Sequence, residues 1–69
     1  MLAKRIRALR NKKGLSQEKL ARLADVSFTT IVKIESGESK KPTIQTMAGI
    51  AKALDISLDE LIKGILNKD

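Results

Sequence analysis

The chain contains no cysteine and no histidine. That composition excludes disulfide frameworks, thiolate zinc sites and histidine-based catalysis. Tryptophan and tyrosine are absent too, and Phe28 is the sole aromatic residue. Apolar runs fall far short of a membrane span, and Lys and Arg interrupt the N-terminal segment too early for a secretion signal. Lack of cysteine suits a reducing compartment, so a soluble cytoplasmic protein is expected. No nucleophile–base set, metal-ligand cluster or glycine-rich phosphate loop occurs. Neither an enzyme nor a metal, cofactor or small-molecule site is therefore expected.

What is present is short and basic. The 69 residues fit one domain, 1–69, with a net charge of +6. At that size a single core is marginal, so caps and short connections must contribute. The charge is uneven: Lys4, Arg5, Arg7, Arg10, Lys12, Lys13, Lys19 and Arg22 face one acid, Glu18, in the first third of the chain. Asymmetry of this kind suits a polyanionic partner, either nucleic acid or an anionic membrane surface. A solvated basic helix that aids solubility accounts for it equally well. A membrane-surface role lacks the aromatic anchors it would need.

Apolar spacing is helical nearly throughout and predicts helices over about 2–12, 16–23, 27–35, 43–54 and 57–65. Leu2, Ile6 and Leu9 stripe the first, ended by Gly14. Ser16, Ser27 and Thr43 are N-caps for the next three. Leu20 and Ala24 face inward on the second, and Ile31 and Ile34 on the third, which Gly37 ends. Ile44, Met47, Ala48, Ala51 and Leu54 are expected to line the fourth. Ser57 and Glu60 make a capping-box pattern for a fifth that carries Leu58, Leu61, Ile62 and Ile65. The expected fold is a compact all-α domain of five helices.

The join between the second and third helices is the most informative feature. Only Ala24, Asp25 and Val26 lie between Leu23 and the Ser27 cap, which forces a steep crossing. Asp25 is expected near the left-handed region, which its short side chain tolerates. Glu35 falls beside Ile31 and Ile34 near the end of its helix, where the dipole disfavours an anion. Arg10, one turn after Ile6, offers it a bidentate partner, and a structural Arg10–Glu35 pair is preferred over Arg10 in the basic face.

The stretch GLSQEKLARLADVSFTTIVKIESG, the basic loop after it and KPTIQTMAGIAKALDISLDELI together resemble the lambda-repressor and Cro type of helix-turn-helix family, from about Ile6 to Ile62. Asp25 and Asp55 stand where that family usually has glycine, and Phe28 where polar residues are frequent. The resemblance implies that the third helix enters the major groove of double-stranded DNA and the second crosses the backbone. Thr29 and Lys33, opposite Ile31 and Ile34, would then reach base edges, with Thr30 and Val32 flanking. Gln17, Thr30, Lys40, Lys41 and Thr43 match phosphate-contacting positions. Lys12 and Lys13 are weaker candidates.

Two features stay open in the sequence. Phe28 either packs on a thymine methyl or folds back over the turn onto Leu23 or Val26. Ile62, Ile65 and Leu66 either pack inside or form a homodimer contact, which would imply a palindromic operator. The expected function is sequence-specific transcriptional regulation of repressor, controller or antitoxin type. The alternative is a protein-interaction helix-turn-helix domain that does not read DNA.

Overall fold

The computed structural model describes residues 2–66, with side chains as far as Lys63. In chain order lie α1 (Leu2–Lys12), α2 (Gln17–Ala24), α3 (Phe28–Ser36), α4 (Ile44–Ala53) and α5 (Leu58–Leu66), with no strand among the described residues. Each helix starts on local chemistry. Ser16, Ser27 and Thr43 hold extended backbones, and their hydroxyls accept from the N–H groups of Lys19, Thr30 and Thr46 at 3.0, 3.1 and 3.1 Å. Ser57 accepts from Glu60 N in the same way at 3.0 Å. Each cap satisfies a donor that the helix leaves without an internal partner. The carboxylate of Glu60 turns to Arg5 Nη2 at 3.5 Å, so the serine half of the expected capping box is the half that forms.

Three helix ends share one design. Gly14, Asp25 and Asp55 adopt φ values of 70, 60 and 60° after α1, α2 and α4. The following N–H groups, of Leu15, Val26 and Ile56, reach back to the carbonyls of Arg10, Ala21 and Ala51 at 3.0 Å each. This is the Schellman arrangement, which turns the chain sharply while satisfying the last carbonyls. Asp25 thus occupies the left-handed position expected of it, and the turn into α3 needs only residues 25–27.

The core is aliphatic. Ile6, Leu20, Ile31, Ile34, Ile50, Leu54 and Leu61 are its largest fully buried side chains. α2 packs on α3 and α4, α1 on α3 and α5, and α4 on α5. One expectation is corrected on α4. Its buried stripe is Met47, Ile50, Ala51 and Leu54, while Ala48 is exposed and Ile44 is 68% exposed. The cause lies at Gly49, where an added Cβ would sit 2.4 Å from the Ala24 carbonyl oxygen. α4 is pressed so closely onto the end of α2 that it rolls Ile50 inward and carries Ile44 and Ala48 out. Among the described residues, no helix is long and apolar enough to cross a membrane.

Candidate nucleic-acid interface

α3 presents a free outer face. Its inner side, Ile31, Ile34 and Glu35, is buried against α1 and α2, and Phe28, Thr29, Val32 and Lys33 are exposed. A wheel at about 100° per residue puts Thr29 and Lys33 opposite the buried set. Thr30 is half-buried, and its hydroxyl pairs with Ser27 Oγ at 2.8 Å, which ties it into the cap. The chain leaves α3 through Gly37, at φ 87°, and folds back so that Ser39 N donates to Lys33 O at 3.0 Å. Lys40 and Lys41 follow at once and are exposed. A basic loop is thereby fixed at the end of the free face.

Gln17 and Thr43 are more committed than the sequence suggested. The Gln17 amide donates to Glu35 Oε1 at 3.1 Å, which leaves one amide hydrogen for another acceptor. The Thr43 hydroxyl donates to Thr46 Oγ1 at 3.0 Å while accepting from Thr46 N, so its proton is engaged at the start of α4.

Behind the free face lies a charged network. Glu35 is 2% exposed. Arg10 Nε donates to its Oε2 at 2.7 Å, and Arg10 Nη2 to its Oε1 at 3.0 Å. Arg10 Nη1 reaches Leu15 O at 2.8 Å, and Arg7 Nη1 reaches Glu35 O at 3.0 Å. A carboxylate near a helix C-terminus opposes the dipole, and two guanidiniums offset it here with charge-assisted bonds. The network joins α1, α2 and α3, so the outer face of α3 is held from behind by electrostatics as well as packing. Sequence reasoning missed Arg7 and the Gln17 contact; the three-residue spacing of Arg7 and Arg10 on one helix was the available signal.

Phe28 is 48% exposed and stands outside the core cluster, so about half of its surface is open at the start of α3. Ile62 is half-buried and packs against the core; Ile65 and Leu66 lie outside the described side chains. Lys12 and Lys13 are exposed, and Lys13 Nζ lies 3.9 Å from Asp55 Oδ2, a surface pair of little energetic weight.

Two short helices across a three-residue turn, the second with a free polar face backed by a basic loop, define a helix-turn-helix domain. Family comparison agrees: a family described as "Helix-turn-helix" matches residues 6–61, and the chain belongs to that family. It is 38% identical over 60 residues to the HTH-type transcriptional activator BcrR of Enterococcus faecalis, covering 87% of this chain and 29% of that protein. It is 36% identical over 70 residues to the control protein C.SmaI of Serratia marcescens, covering 99% of this chain and 82% of that one. Among solved structures it resembles SinR, the master regulator for biofilm formation, in a crystal structure with DNA. That match has a TM-score of 0.85 and 32% identity, over 90% of this chain and 98% of that one. The fold is accordingly the lambda-repressor-like, all-α arrangement that the sequence implied.

Proposed function

We propose that this chain is a transcriptional regulator that binds double-stranded DNA sequence-specifically, acting in the cytoplasm as a binding protein without catalysis. α3 lies in the major groove and α2 crosses the backbone. The observation that carries this reading is the free face of α3, where exposed Thr29 and Lys33 adjoin the exposed Lys40 and Lys41. Lys33 suits the acceptors of guanine, and Thr29 offers both a hydroxyl and a methyl. Phe28 and Val32 border them. Gln17, Lys40 and Lys41 hold phosphates; Thr30 joins them while accepting from Ser27 Oγ, and Thr43 by exchanging its present hydroxyl partner. The chain pairs as a homodimer through Ile62, Ile65 and Leu66. Two recognition helices then stand about 34 Å apart on one DNA face and select a palindrome.

Selection of binding sites from random duplex DNA by the purified chain tests the proposal. Recovery of a two-fold symmetric consensus supports both DNA reading and pairing. A second reading, a protein-interaction domain that does not read sequence, is favoured by the exposed Leu23, Phe28, Val32 and Ile44. Salt-sensitive retention of all duplexes alike, with no consensus, would replace the first reading with the second.

A further inference from the structure

Phe28 and Val32 make an apolar edge on a helix whose other outward residues are polar. Phe28 is 48% and Val32 36% exposed, and neither belongs to the buried core cluster. A phenyl ring gains by leaving water, yet the core closes without this one. Around the helix, Val32 lies about 40° from Phe28 and Thr29 about 100° from it, with Lys33 beyond. The ring therefore begins the same exposed arc that carries Thr29 and Lys33. Thr30, tied to Ser27, lies off that arc.

Neither phenylalanine nor valine can donate or accept a hydrogen bond from its side chain. Whatever they select in the major groove must be apolar. The groove edge of standard bases offers one such group, the pyrimidine 5-methyl of thymine; cytosine carries the same group only when methylated. Lys33 lies on the far part of the same arc, and Lys40 and Lys41 stand in the loop at the other end of the helix, so the outer face that carries this edge is also basic. Such a setting matches a polyanion that displays methyl groups.

We propose that Phe28, backed by Val32, is a specificity-determining residue that packs on a pyrimidine 5-methyl group. Each half-site then combines a thymine methyl under Phe28 with guanine acceptors under Lys33. The inference rests on the reading of the chain as a sequence-specific DNA binder.

The test replaces each thymine of the selected duplex, one at a time, by deoxyuridine. That change keeps every hydrogen-bonding group and removes only the methyl. Binding is measured by fluorescence anisotropy at one fixed salt concentration. At one thymine per half-site, uracil should weaken binding about fourfold, the scale of one buried methyl. In Phe28→Ala the same replacement should have no effect, while the melting temperature stays close to that of the parent. Phe28→Gln, which introduces a hydrogen-bonding amide at the position, should shift the preferred base away from thymine. A parallel duplex with 5-methylcytosine at each selected cytosine separates the two methyl sources. Tightening there, with every thymine insensitive to uracil, assigns the contact to modified cytosine. Insensitivity to both replacements, or a uracil penalty unchanged in Phe28→Ala, overturns the inference and leaves sequence-specific binding intact. Absence of any preferred sequence in the parent chain instead removes the functional reading itself.

Discussion

Arg10→Met is the perturbation that probes the architecture most deeply. Arg10 makes two bonds to the Glu35 carboxylate, at 2.7 and 3.0 Å, and one to Leu15 O at 2.8 Å. Methionine keeps most of the length and loses all three. Glu35, 2% exposed, is then left with the Gln17 amide as its remaining side-chain partner. Removing one member of a buried ion pair costs about 3–5 kcal/mol, because the surviving charge stays desolvated. A domain of 69 residues has a total stability of roughly 3–10 kcal/mol, so the variant should be largely unfolded in mild urea. Replacing both partners removes the stranded charge. Arg10→Met with Glu35→Met should recover at least about 2 kcal/mol over the Arg10→Met single variant, although Leu15 O still lacks its donor. Urea unfolding followed by far-ultraviolet circular dichroism measures all four proteins. Single effects that add to the double within about 0.5 kcal/mol would refute the coupling.

Other outcomes follow from separate features. Gly49→Ala should destabilise by about 1–3 kcal/mol, since its Cβ meets the Ala24 backbone and α2 and α4 must part; unchanged urea unfolding would show the crossing to be loose. Asp55→Gly should stabilise by up to about 1 kcal/mol by relieving the left-handed backbone, outweighing the lost 3.9 Å pair with Lys13, and a lower melting temperature would contradict this. Lys41→Ala should weaken binding to all duplexes alike and flatten the log–log salt dependence by about 0.9. Lys33→Ala should change which sequence is preferred, and unchanged relative affinities across a panel of sites would remove its base-reading role.

The fold was legible because its boundaries lie in local chemistry. Ser16, Ser27 and Thr43 announce three helix starts, and Gly14, Asp25 and Gly37 the ends before and after them. Asp25 was legible as a left-handed residue because a link so short admits little else. α4 was misread at Ile44, since periodicity fixes the stripe only to within a residue and the close approach at Gly49 sets the roll. Such an approach is a tertiary fact with no local signature. The site divides in the same way. Arg10 and Glu35 were paired from their faces and from the dipole, whereas the claim of Glu35 on Gln17 depends on how α2 and α3 dock. Phe28 could not be assigned from its wheel position, about 60° from Ile31. Its exposure depends on how far the neighbouring elements reach the first turn of α3, and they leave about half of it open.

The central claim, that the outer face of α3 reads DNA sequence, is tested most directly by one ratio. It is the affinity for the selected duplex divided by that for a scrambled duplex of equal length and composition, at one physiological salt concentration. Specific regulators reach about 10³ or more, and a value in that range is the expected result. A ratio near one, with both duplexes bound equally and released equally by salt, would contradict it.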